Sequence, residues 1–211
     1  MELYIVRHGE TLWNKKNLLQ GSADIELTEN GRELAGKLGE KLEDISFDMI
    51  FSSPLIRAYE TANLIRGHRN IPIIRDERLK EISFGVMEGH DYAEVFSDGN
   101  PQYAFFSDPI KYVRPDNGED FEDLIARTGK FYEEVLLPAA KKCERIMVVG
   151  HGTSNKALIC NLINAPIERF WGDGLQKNGE ADIYLFDGEK WDRKPGAQGA
   201  VDERWGHKIK K

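Results

Sequence analysis

Cysteine is scarce in this 211-residue chain: there are two, Cys143 and Cys160. They stand far apart and fit no zinc-binding or redox spacing, so both read as ordinary thiols. No apolar run approaches the roughly 20 residues that a membrane-crossing helix needs. The start has no signal-peptide layout, because Met1-Glu2 passes straight into the short run Leu3–Val6 and then Arg7. A cytoplasmic protein is expected. Positive charge is in deficit, with 29 Lys+Arg against 36 Asp+Glu and a net charge of −7. That balance disfavours nucleic acid or an anionic membrane as partner. It does not exclude a small anionic substrate, since local charges within a Debye length of about 8 Å decide a site. No repeat, low-complexity tract or linker rich in Pro, Gly or Ser divides the chain, so residues 1–211 are expected to form one domain. A hydrophobic fraction of 40% and a charged fraction of 31% suit a globular protein with a proper core. Nothing in the sequence sets the oligomeric state.

Four short segments dense in β-branched or aromatic residues read as core strands: Glu2–Val6, Phe47–Phe51, Ile71–Ile74 and Arg145–Val149. Helical stretches lie between them. Thr28 is a suitable cap for a helix with a stripe of Leu34, Leu38 and Leu42. Ser53-Pro54 opens a second, with Ala58, Ala62 and Ile65 behind it. Glu119–Lys142 contains a third and Ser154–Ile163 a fourth. This alternation predicts an α/β three-layer sandwich, a mostly parallel sheet with helices on both faces. A last strand near Asp182–Asp187, followed by Gly188-Glu189, reads as a hairpin or edge pairing. Residues 84–118 break the alternation. They carry Tyr92, Phe96, Tyr103, Phe105, Phe106 and Tyr112 among acidic residues and Gly/Pro breaks, and predict short helices over one end of the sheet. A segment of this size beside a site is a candidate lid or specificity element.

Chemistry collects after three of the strands. Leu3–Val6 leads into Arg7-His8-Gly9-Glu10-Thr11. Phe47–Phe51 leads into Ser52-Ser53-Pro54, with Arg57 one turn into the next helix. Arg145–Val149 leads into Gly150-His151-Gly152-Thr153. In a parallel sheet these ends share one edge, where open α/β folds bind ligands. Two histidines, two arginines and small hydroxyl residues would gather there, with helix N-termini offering donors to an anion. Phosphoryl transfer needs that set, because its catalysis is positioning plus electrostatic stabilisation. Arginine binds phosphoryl oxygens bidentately. A neutral imidazole is a good nucleophile near neutral pH. Arginine and histidine supply the positive charge, so no metal or other cofactor is expected. His68, His90 and His207 match no metal spacing and read as surface residues.

Arg7-His8-Gly9-Glu10-Thr11, with Asn14 three residues on, resembles the opening signature of the histidine phosphatase (phosphoglycerate mutase-like) superfamily. Further blocks follow in the family's order: Gln20-Gly21 with Leu27-Thr28-Glu29-Asn30-Gly31, then Ser52 to Ala62, then Leu79 to Gly85 with Glu88-Gly89, then Val148 to Gly152. The resemblance implies the phosphoglycerate mutase-like fold and a metal-independent phosphatase with His8 as nucleophile. It implies a phosphate pocket of Arg7, Arg57 and His151, with Asn14, Gln20, Gly21 and Gly152 also at the substrate. Glu81 would be the general acid, with Glu88 as the fallback. Such an acid needs burial or nearby negative charge to hold its proton near neutrality. Glu10 would either orient the cleft by pairing with an arginine or face water.

Two fates follow a phosphohistidine. Transfer to water makes a phosphatase, and return to a reoriented intermediate makes a cofactor-dependent phosphoglycerate mutase. The mutases resemble this chain but carry a longer, arginine-bearing insertion after the third block. Between Gly89 and Glu119 the only lysine or arginine residues here are Lys111 and Arg114, which favours the phosphatase. A non-catalytic module that senses a phosphate ligand is the third reading, although every expected catalytic position is filled. Arg114 to Glu119 resembles the turn before a helix in broad-specificity and alpha-ribazole phosphatases, except that Asp120 stands where many have a small hydroxyl residue. The expected partner is a small phosphorylated metabolite. Asp91, Glu94, Asp98 and Asp108 would disfavour polyanions if they faced the cleft.

Overall fold

In the computed structural model, residues 1–203 are described. The basic tail Trp205–Lys211, including His207, expected to be a solvated end, lies outside them. One six-stranded sheet organises the chain, in the order β3-β2-β4-β1-β5-β6. Its strands are β1 (Glu2–Arg7), β2 (Met49–Ser52), β3 (Ile73–Arg75), β4 (Arg145–Gly150), β5 (Ala181–Phe186) and β6 (Trp191–Arg193). The first four are mutually parallel, β5 runs antiparallel to β1, and β6 returns antiparallel to β5 as the expected edge hairpin. The helices are α1 (Leu12–Lys15), α2 (Glu29–Lys41), α3 (Ile56–Arg66), α4 (Tyr92–Val95), α5 (Ala104–Ser107), α6 (Phe121–Phe131), α7 (Leu137–Ala140) and α8 (Gly152–Ile163). No helix among the described residues is long and apolar enough to cross a membrane.

The two-residue period of a strand sends alternate side chains to opposite faces. Leu3, Ile5, Ile146 and Val148 join a core with Phe131, Leu136 and Leu158, on the side of α6 and α8. Tyr4, Val6, Met147 and Val149 join another with Ala58, Ala62 and Ile65 of α3. Burial on both faces is why these strands read as unbroken apolar runs. A third core is aromatic. Phe84, Phe96, Phe105, Phe106, Tyr112 and Phe121 pack with Phe170 and Trp171 under the 84–118 segment. Phe105 sits at its centre, with ring centroids 4.8 to 5.3 Å from Phe84, Phe96, Phe106, Tyr112, Phe121 and Trp171.

Two local expectations need correction. Thr28 does cap α2, accepting from the Gly31 N–H, and of the leucine stripe Leu42 is buried and Leu38 packs against the same core, but Leu34 is 37% exposed. Gly31, Ala35 and Gly39 are buried as well, and a Cβ on Gly39 would stand 3.0 Å from the Ile65 carbonyl of α3. Close approach of two helices selects small residues there. Pro54 lies outside α3, which begins at Ile56 with Leu55 as N-cap and no side-chain cap bond. The helix expected within 119–142 is present, as α6 and α7 joined by a π turn at Tyr132–Leu136. Pro138 follows it and has no N–H for the Glu134 carbonyl, so the α ladder cannot continue unchanged.

Candidate active site

The three chemistry-bearing loops leave adjacent strands, because β2, β4 and β1 are neighbours in the sheet. The ladder runs on past the strand ends: the His8 N–H donates to the Gly150 carbonyl at 3.0 Å and the Ser53 N–H to Val149 at 3.0 Å. His151, on the middle strand's exit, is therefore set between Ser53 and His8. One cleft is lined by Arg7, His8, Asn14, Gln20, Gly21, Arg57, Glu81 and Gly152. His151 stands behind that wall, fully buried, its ring centroid 5.1 Å from that of His8.

Hydrogen bonds settle the tautomers. His8 Nδ1 lies 2.7 Å from the Gly9 carbonyl, which can only accept. Nδ1 therefore carries the proton and Nε2 holds the lone pair. Arg57 Nε donates to His151 Nδ1 at 3.2 Å, so the His151 proton is on Nε2, 2.7 Å from Ser53 Oγ. Both imidazoles are held well below their ordinary range, first by burial and next by the Arg57 guanidinium. They stay neutral at pH 7.

Arg57 is itself buried, donating to the Gly21 carbonyl at 2.7 Å and the Ala23 carbonyl at 2.6 Å. Burial lowers it to about 10, still cationic at neutral pH. Gly21 can make this turn because it adopts φ +55, and a Cβ there would stand 2.2 Å from Glu88 Oε1. Arg7 donates to the Gln176 carbonyl and stands 3.5 Å from Asp202. The turn carrying His8 is held from outside: Thr61 accepts from the Gly9 N–H at 3.0 Å and Asn178 donates to the His8 carbonyl at 3.0 Å.

The N-terminus of α8 does not offer all its donors to an outside anion. The Thr153 and Ser154 N–H groups donate to the Glu81 carboxylate at 3.0 and 2.9 Å, and the Ile82 N–H adds a third bond at 2.9 Å. This seats Glu81 in the cleft wall. Glu88 is used otherwise: its Oε1 accepts from the Ser22 and Phe84 N–H groups, and it does not line the cleft. Glu10 neither pairs with an arginine nor simply faces water; it accepts from Thr28 Oγ1 at 2.8 Å and from Asn30. Asn14 forms a capping box with Thr11, whose hydroxyl also donates to Gln20 at 2.8 Å.

The rest of the wall is Asn17, Leu18, Leu19, Phe84, Tyr92, Thr153 and Leu175. The 84–118 segment thus contributes Phe84 and Tyr92. None of Asp91, Glu94, Asp98 and Asp108 lines the cleft; Asp91 caps α4 and Asp108 binds Lys111. Arg114 binds Asp123. Asp120 caps α6, the work a small hydroxyl residue would do there. His68 and His90 are exposed, Cys143 is half-buried and Cys160 buried. Gln176, Asn178 and Asp202 belong to no local motif, and each reaches the site only through tertiary contacts.

Comparison with known proteins agrees with this geometry. The sequence model of the histidine phosphatase superfamily (branch 1) matches residues 3–194. A 2,3-bisphosphoglycerate-dependent phosphoglycerate mutase of Cytophaga hutchinsonii is 36% identical over 162 residues, covering 76% of each chain. The adenosylcobalamin/alpha-ribazole phosphatase of Escherichia coli is 32% identical over 171 residues, covering 81% of this chain and 83% of its own. Among solved structures, Bacillus stearothermophilus YhfR superposes with a TM-score of 0.82 at 34% identity, covering 95% of this chain and 98% of that one.

Proposed function

The chain belongs to the histidine phosphatase superfamily (branch 1), and from that premise we propose that it hydrolyses a small phosphomonoester, without a metal, through a phosphohistidine on His8. The observation that carries this reading is the neutral His8, whose Nδ1 is committed to the Gly9 carbonyl while Arg7 and Arg57 line the same cleft. In the first step the Nε2 lone pair attacks phosphorus and the ester P–O bond breaks. Glu81 gives its proton to the leaving oxygen. Water then attacks the phosphorus, Glu81 takes up a proton, and the P–N bond breaks to release inorganic phosphate. Arg7 and Arg57 bind the equatorial oxygens throughout. His151, a neutral donor at Nε2, completes the pocket behind His8. The reading treats residues 1–211 as one domain, with 84–118 as its specificity segment.

Phosphatase is favoured over mutase by where the cations are. A bisphosphorylated intermediate needs positive charge for a second phosphate. Among the described residues the cleft wall carries only two cations, Arg7 and Arg57, while Lys111 and Arg114 are paired with carboxylates. The remaining wall, with leucines, Phe84, Tyr92 and amide side chains, suits an uncharged, partly apolar leaving group. The test is turnover of a phosphomonoester panel, including 3-phosphoglycerate, by wild type and His8→Ala with chelator present. Phosphate release that the substitution abolishes supports the phosphatase. Conversion of 3-phosphoglycerate to its 2-isomer without net phosphate release selects the mutase, and binding without turnover selects the sensing module.

A further inference from the structure

Arg127 and Glu119 lie outside the cleft wall, yet their side chains are largely enclosed, at 19% and 26% exposure. Arg127 comes from the second half of α6, and all five of its N–H donors are engaged. Nε and Nη2 form a fork on the two carboxylate oxygens of Glu119, at 2.7 and 2.9 Å. Nη1 donates to the Arg78 and Lys80 carbonyls at 2.8 and 2.7 Å, and Nη2 also donates to the Glu81 carbonyl at 2.9 Å. Glu119 completes the frame: its Oε2 accepts from the Ser83 N–H at 2.9 Å, and its own N–H donates to the Ser83 carbonyl at 2.9 Å. Residues 78, 80, 81 and 83 are thus fastened by one ion pair.

The fastened segment has little regular structure of its own. A single 3-10 turn, Glu77–Leu79, precedes Glu81, and no helix or strand contains it. Its carboxylate end is held by α8, as described above, so the two ends of Glu81 hang from different helices. α6 and α8 pack against each other, which makes the distance between the two anchorages rigid. A guanidinium suits this use because its donors are coplanar and fixed in direction, whereas an ammonium would have to choose among the same acceptors.

We infer that Arg127, locked by Glu119, is a positioning residue that sets Glu81 where it can protonate the leaving oxygen. The inference rests on the phosphatase reading and on Glu81 as its general acid. Arg127 touches no reacting atom in this scheme; it acts through the backbone of residues 78–83. A proton donor must sit within hydrogen-bond reach of its acceptor in the transition state, so slackening its backbone weakens protonation and leaves phosphate binding alone. Esters with poor leaving groups should therefore suffer, and esters whose leaving group departs unprotonated should not.

The experiment measures kcat/KM, which reports transfer to His8, for 4-nitrophenyl phosphate and for an alkyl phosphate. The proteins are wild type, Arg127→Lys, Glu119→Gln, Glu81→Gln and the Arg127→Lys/Glu81→Gln double variant. Arg127→Lys should lower the alkyl rate about tenfold or more and the aryl rate within about twofold. Glu119→Gln keeps one acceptor oxygen and should show a smaller loss of the same kind. Inhibition by inorganic phosphate should be unchanged in both, which excludes collapse of the pocket as the cause. In the Glu81→Gln background, Arg127→Lys should cost nothing further, because the group it positions is already gone. Equal loss on both esters, weakened phosphate inhibition, or additive losses in the double variant would overturn the inference. An indifferent Glu81→Gln would overturn it too. A wild type inactive on both esters would defeat the phosphatase reading itself, and this inference with it.

Discussion

Acidification should destabilise this protein well before its carboxylates titrate, and the two buried histidines give the size of the effect. Both imidazoles are held well below 6.5 in the fold, chiefly by burial and then by Arg57. In the unfolded chain they return to about 6.5. Between those values the unfolded state binds more protons than the folded state, so stability rises with pH and is lost as pH falls below 6.5. From pH 7.5 to 5.5 each histidine should cost on the order of 1 kcal/mol and the pair roughly 2–3 kcal/mol. That is a large part of an ordinary folding stability of roughly 5–15 kcal/mol. Asp182 works in the opposite direction, because burial raises its carboxyl, and stability from it falls as pH rises through its folded value. Its contribution is common to every variant and cancels in differences. The assay is urea unfolding of wild type, His8→Asn and His151→Asn at pH 7.5 and 5.5. Each substitution should remove about half of the histidine-dependent loss. A pH dependence that is the same in all three proteins would refute the reasoning.

Arg57→Ala leaves the Gly21 and Ala23 carbonyls and His151 Nδ1 without their donor. It should cost about 3 kcal/mol or more of stability in urea unfolding, and kcat/KM should fall by roughly 10²–10³ or more through loss of a transition-state donor. Glu81→Gln keeps one acceptor oxygen, enough for one of the two α8 amides, but has no acidic proton to give, so it should slow alkyl phosphates far more than 4-nitrophenyl phosphate; equal slowing would remove Glu81 from the acid's role. Gly21→Ala requires a Cβ 2.2 Å from Glu88 Oε1 at φ +55. It should destabilise by more than about 1 kcal/mol and weaken phosphate inhibition, since the Gly21 carbonyl orients Arg57.

Much of this was legible locally. The central strands announced themselves because burial on both faces leaves no polar alternation to confuse the pattern. The signature at Arg7-His8-Gly9 and at Gly150-His151-Gly152 marked the ends of neighbouring strands, and Thr28 marked the start of α2. What the sequence hid is set by contacts distant along the chain. The buried face of α2 follows from how close α3 comes, so Gly39 and Ala35 matter more than Leu34. Among Asp76, Glu77 and Lys80 nothing local separates Glu81 from a surface charge; the resemblance singles it out, and the α8 amides 72 and 73 residues away supply the physical reason. Glu88 and Glu10, beside glycines in matching blocks, turned out to tie loops together. Gln176, Asn178 and Asp202 carry no pattern at all, because their role is fixed by where the chain returns after β4 and α8.

The central claim is the covalent intermediate on His8, and trapping it tests that claim most directly. Wild type mixed with a 32P-labelled phosphomonoester and quenched in alkali within the first turnover should carry label on protein that survives base and is lost in acid, as expected of a phosphoramidate. His8→Ala should carry none under the same conditions, with its fold intact by circular dichroism. Label retained in His8→Ala, or rapid phosphate release from wild type without labelled protein at any quench time, would contradict the account.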